Sequence, residues 1–153
     1  MNTIPAPADP RESHAVTFRT WAKAISDRDL ETYMTCFGPD IVIEDIALNR
    51  TISGLDELRH LAGVWFEAFE DTTLTLHLHL EGDGHAAVSW ESTGTVRGHF
   101  PGVTEHAVEG GRFHKRGMSV FRFDENSKFV WERSHWDLQE FQRGLGISAD
   151  KQG

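Results

Sequence analysis

The feature that most constrains this chain is a change of hydrophobic period near residue 72. Upstream, apolar residues recur mainly at helical spacing. Downstream they alternate, with Leu74, Leu76, Leu78 and Leu80 on one side and Thr73, Thr75, His77 and His79 on the other. Alternation of that kind marks a strand with one buried face. Gly82-Asp83-Gly84 supplies a hairpin turn into a second strand, Ala86–Val96. A loop bounded by Pro101, Gly102, Gly110 and Gly111 leads to strands over Phe113–Phe123 and Phe129–Trp136, joined by a turn at Asp124–Ser127. Four long strands in succession present one apolar face that a second layer must cover.

That layer has to come from the first 70 residues. From Ser13, the residues Val16, Phe18, Trp21, Ala22, Ala24 and Ile25 share a helical face up to the break at Ser26–Asp29. Asp29 is placed to cap a short second helix carrying Leu30, Tyr33, Met34 and Phe37, which Gly38-Pro39 ends. Ser53 is placed to cap a third helix, with Asp56 and Glu57 in its first turn and a stripe of Leu58, Leu61, Val64, Trp65, Ala68 and Phe69. A short helix through Leu138, Phe141 and Leu145 closes the chain before Gly146. Helices first and a meander afterwards predict an α+β domain whose curved antiparallel sheet folds over three N-terminal helices.

One early strand interrupts the helices. In Phe37–Asp45, reading FGPDIVIED, Asp45 shares its parity with Ile41 and Ile43, so a carboxylate points where apolar side chains point. Burial of that kind suits a carboxyl to act as a general base near neutral pH. The competing reading ends the strand at Glu44 and leaves Asp45 in a solvated turn. Ile46–Ile52 reads as a loop or a short paired strand.

At 153 residues the chain is the size of one domain. Residues 1–10 carry three of the five prolines and read as a flexible N-terminal tail; 11–146 form the domain, and 147–153 a C-terminal tail. A net charge of -9 argues against nucleic acid and anionic membrane surfaces as partners, since both require a basic face. The lone Cys36 excludes an internal disulfide and any CxxC motif. No run of 18 apolar residues and no export signal occurs in the sequence, which gives a cytoplasmic location as the expectation. His77 and His79 have no third ligand at a diagnostic spacing, so no metal is expected.

Four stretches carry a resemblance to a known family. They are PDIVIEDIA followed by SGLDELR; GDGHAAVSW; GTVRGHFPG, which is similar to the element Gly-Thr-x-x-Gly-x-Phe-x-Gly; and Met118–Gly146, MSVFRFDENSKFVWERSHWDLQEFQRGLG. Together they resemble the SnoaL-like polyketide cyclase branch of the nuclear transport factor two-like superfamily over about residues 13–146. The resemblance implies a cone-shaped, barrel-like sheet and an apolar pocket for cofactor-independent acid/base chemistry on a small hydrophobic, aromatic or polycyclic molecule. Isomerase, cyclase and lyase activities fit it, as do a non-catalytic binding module and an epoxide hydrolase. Related cones pair through the outer sheet face, which implies a homodimer.

The resemblance also assigns positions. Asp45 stands where ketosteroid isomerases carry their base, and Trp21 where they carry a tyrosine. An indole donates one hydrogen bond and shuttles no proton, so Trp21 holds or stacks on a ligand. Ser119 falls where isomerases have a second, protonated carboxyl and cyclases a histidine. Ser134 falls where cyclases and limonene epoxide hydrolase have an aspartate acid/base. A serine hydroxyl orients an oxygen but does not replace a titrating carboxylate. Glu132, Ser134 and Trp136 share one parity, so Glu132 faces the pocket unless a bulge intervenes; a bulge would bring in His135 instead. Lys115 shares the parity of Ser119 and reaches either the cavity rim, favouring an anionic or enolate-forming substrate, or solvent. Phe37, Trp65, Trp90, Phe121 and Trp136 are the candidate aromatic walls.

Overall fold

The computed structural model describes residues 9–147. Ten elements follow in order: α1 (Pro10–Asp27), α2 (Leu30–Met34), β1 (Phe37–Asp45), β2 (Arg50–Ser53), α3 (Leu55–Ala68), β3 (Phe69–Gly82), β4 (His85–Val96), β5 (Arg112–Phe123), β6 (Phe129–Trp136) and α4 (Leu138–Gly144). The strands form one six-stranded sheet in the order β2-β1-β6-β5-β4-β3. This is the predicted α+β architecture, helices packed on one six-stranded sheet.

Two features of the sheet depart from expectation. The β1–β6 pair is parallel, because the chain returns to β1 only after the whole meander. The sheet also stays open, with β2 and β3 as its edges, so it is not a closed barrel. The remaining pairs are antiparallel.

Helix α1 starts at Pro10, a turn before Ser13, because Asp9 caps it by accepting the Arg11 N–H at 2.9 Å and proline suits the first helical turn. Residues 1–8 and 148–153 of the expected tails lie outside the described residues. Ile147 is buried and belongs to the core instead of a tail. Asp29 caps α2 as expected, accepting the Thr32 N–H. Phe37 belongs to β1 and not to that helix. Gly54, at φ 86°, and not Ser53, is the N-cap of α3; Ser53 ends β2, and its N–H is accepted by Glu57. Phe69 opens β3 without a connecting loop.

The Leu74–Leu80 stripe is broken by a register shift between Leu76 and His79. Leu74 is buried, whereas Leu78 and Leu80 are 50% and 48% exposed. Past the extra residue the faces exchange, as a bulge requires. His79 then turns inward, packs edge-on against Phe18 of α1 and bonds Glu81, which also binds His14.

Two aromatic clusters make the core. One gathers Phe18, Ile41, Phe121 and Phe129 between α1 and the sheet; the other gathers Phe69, Phe113, Phe141 and Leu145 beneath α4. Each fully buried phenylalanine contributes about 1.5–3 kcal/mol. The space between the clusters is not filled.

Candidate active site

That space is a cavity of about 180 Å³. Trp21 and Ile25 of α1, Tyr33 of α2, and Leu58, Leu61, Ala62, Trp65 and Phe66 of α3 line one side. Ile43, Leu74, Trp90, Ser92, Lys115, Glu132 and Ser134 come from the sheet, while Leu48, Arg50 and Phe100 stand at loops and at the β2 edge. Gly117 lets two indoles close over β5. It pairs with Trp90 on one side and Trp136 on the other, and a Cβ there would lie 2.7 Å from Trp136 Cβ and 2.8 Å from Trp90 Cζ2.

Strand register builds the polar part. Asp45 is paired with Ser134, and Ser134 with Ser119, so three polar residues form one row across β1, β6 and β5. Paired residues point to the same side of a sheet, here toward the helices. The Trp90 indole donates to Ser119 Oγ at 3.0 Å, and Ser119 donates to Ser134 Oγ at 3.0 Å. Asp45 Oδ1 accepts the Trp136 indole N–H at 3.1 Å and the Leu48 backbone N–H at 3.0 Å. These bonds fix the carboxylate at the end of β1.

Glu132 lies two residue pairs before that row and on the same face, opposite Ile43, and is 7% exposed. Its carboxyl is pushed up to about 8, first by burial and then by the charge of Asp45, with Lys115 and the Ser119 hydroxyl acting in the opposite sense. Burial dominates because desolvation penalises the ionised form. At neutral pH Glu132 is therefore largely a proton donor. The phenol of Tyr33 is also raised, by burial and by Glu132.

Lys115 sits inside the cavity instead of in solvent. Its Nζ lies 4.2 Å from the ring centre of Trp136, 4.7 Å from Trp65 and 5.4 Å from Trp90. Burial holds its pKa below the ordinary lysine value, and Asp45 and Glu132 partly restore it.

Of the residues predicted from sequence, Asp45, Ser134, Trp21, Trp65, Trp90, Lys115 and Glu132 line the cavity. Trp136 stands behind it, holding Asp45 and Lys115. Ser119 is the fully buried end of the row, and Phe37 and Phe121 are core residues rather than walls. His135 is exposed on the outer face, because no bulge interrupts β6 between Trp131 and Trp136. Tyr33, Arg50, Ser92 and Phe100 escaped the sequence reading. Tyr33 reads as one more apolar position on α2, and the other three depend on loop course and strand pairing. Among the described residues, no group of three His, Cys, Asp or Glu side chains is placed to hold a metal ion. No helix among them is long and apolar enough to cross a membrane.

The fold is shared with solved structures. A phenazine biosynthesis-related protein from Pseudomonas aeruginosa superposes with TM-score 0.76 at 18% identity, over 97% of this chain and 90% of that one. A candidate SnoaL-like polyketide cyclase from Jannaschia sp. CCS1 gives 0.74 at 15% identity, over 96% and 99%. An LEH-like epoxide hydrolase from M. tuberculosis gives 0.68 at 14% identity, over 88% and 90%. Identities this low establish the fold alone. The sequence matches no curated protein. It does match the SnoaL-like domain family over residues 18–132, a span running from α1 to β6 that includes the cavity from Trp21 to Glu132. This chain belongs to the SnoaL-like domain family.

Proposed function

We propose that the chain is a cofactor-independent acid/base enzyme, of isomerase, cyclase or lyase type, acting on a small hydrophobic aromatic molecule. The observation that carries this reading is the presence of two carboxyls, Asp45 and Glu132, in the lining of one cavity. Glu132 is buried with its carboxyl pushed up to about 8, and the Asp45 carboxylate shares its face of the sheet. Burial makes Glu132 a proton donor, and a second carboxyl on the same face supplies a candidate base. Asp45 takes a proton from a carbon next to a carbonyl, and Glu132 gives one to the oxygen on which charge develops. Ser134 orients that oxygen, and the aromatic walls exclude water.

The test is proton exchange in heavy water with 2-tetralone, an enolisable bicyclic ketone, followed by NMR. The native chain should accelerate exchange, and Asp45→Asn or Glu132→Gln should each lower the rate by about 10²- to 10⁴-fold. Exchange no faster than in buffer would reassign the cavity to binding without catalysis. We also propose that the protein is a homodimer. Leu78, Leu80 and Met118, all exposed on the outer sheet face, support pairing through that face.

A further inference from the structure

The cavity carries a charge pattern that the acid/base reading leaves unused. The Lys115 ammonium has three N–H donors, and among the described residues it forms no hydrogen bond or ion pair. Three indole faces surround it and satisfy its charge without accepting those protons in ordinary hydrogen bonds. Asp45 and Glu132 favour its charged form from a distance, but among the described residues neither makes an ion pair with it, and Asp45 Oδ1 is occupied by Trp136 and Leu48. The lysine is half-buried, and the open side from which an acceptor can arrive is the cavity itself.

A second cation points the same way. Arg50 lines the cavity with its guanidinium 5.2 Å from the ring centre of Phe100, and among the described residues no carboxylate lies within 4 Å of it. The chain as a whole carries a net charge of -9, yet the charged side chains of its cavity are two cations and two carboxyls, one of them largely protonated at neutral pH. The cavity thus sets two basic side chains against two acidic ones in a chain that is acidic as a whole. Its size sets the rest of the ligand: about 180 Å³ is little more than the roughly 150 Å³ cavity known to hold one benzene, and well below the roughly 300–1,000 Å³ of drug-sized sites.

We propose that the cavity selects an aromatic carboxylate of one or two rings, its carboxylate seated against Lys115 Nζ and its ring between the indoles of Trp65 and Trp90. The proposal rests on the reading of the cavity as a small-molecule site but not on turnover. Arg50 draws the anion toward the mouth, and Lys115 supplies the charge-assisted hydrogen bond that a neutral ligand cannot use as well.

The test is equilibrium binding to the full chain at pH 7, read by tryptophan fluorescence and calorimetry. The probes are 2-naphthoate, 2-naphthamide, 2-naphthylmethylammonium and pyrene-1-carboxylate. Naphthoate should bind at least about tenfold tighter than the amide, and the ammonium and pyrene probes weaker still. Lys115→Met should erase the gap between naphthoate and amide, and Lys115→Arg should keep most of it. Amide or ammonium binding as tight as naphthoate overturns the proposal, as does a gap that survives Lys115→Met. Equal binding of the pyrene acid overturns the limit on ring number. If Lys115→Met loses its near-UV circular dichroism, Arg50→Gln decides: the gap should narrow at least about threefold, and an unchanged gap counts against the proposal. A chain that fails the exchange test still answers this one, because no step here requires catalysis.

Discussion

Trp136 donates its indole N–H to Asp45 Oδ1 at 3.1 Å while its ring lies 4.2 Å from the ammonium of Lys115. One side chain thus holds an anion by its edge and a cation by its face, using the indole donor and the electron-rich ring separately. Trp136→Phe removes the donor and keeps a ring. It should cost about 2 kcal/mol of stability in urea unfolding, since a hydrogen bond to a charged group contributes roughly 1.5–3 kcal/mol. Asp45 keeps the Leu48 N–H, so the loss should not exceed that range.

Glu132 links folding to pH. Its ordinary value is 4.5 and its folded value about 8, so between these the folded chain binds more protons than the unfolded one. Stability therefore falls as pH rises through that window, by an amount on the order of a few kcal/mol. The surface carboxylates with lowered values, Glu44 and Glu91 among them, act below the window and in the opposite sense. Glu132→Gln should flatten the fall between pH 5 and 8.5, as measured by urea unfolding at each pH. An unchanged slope would place the titration elsewhere.

Ser119 and Ser134 look alike in sequence and should behave differently. Ser119→Ala takes the acceptor from the buried Trp90 indole and should cost about 1–3 kcal/mol, the penalty for an orphaned buried donor. Ser134→Ala removes only the terminal acceptor of the chain, next to a cavity that admits water, and should cost less than about 1 kcal/mol. The two midpoints in urea give the comparison directly.

The homodimer proposal makes a separate prediction. Leu78→Lys combined with Met118→Lys places two like charges on the outer face without touching either core cluster. Sedimentation should show a dimer for the native chain and a monomer for the double variant, with thermal unfolding of the monomer still cooperative. A native chain that sediments as a monomer would remove the proposal.

Particular residues show how far the sequence was legible. The alternation in Ile43 and Asp45 and in Glu132, Ser134 and Trp136 was readable because side chains on a regular strand alternate, and β1 from Val42 and β6 from Trp131 run undisturbed through those residues. The same reasoning failed at Leu78 and Leu80, where one extra residue reversed the faces. A bulge leaves no mark in residue type: leucine alternates with threonine before it and with histidine after it.

The sequence by itself determined the order of elements, the face of each regular strand and the family, because these follow from local periodicity and turn residues. Only the tertiary structure decided that Lys115 lies among three indoles, that Glu132 outranks Ser134 as the titrating group, and that β1 lies parallel to β6. Those facts depend on residues far apart in the chain. Burial and strand partnership are set by what packs against a side chain, and the local sequence carries no record of that neighbour.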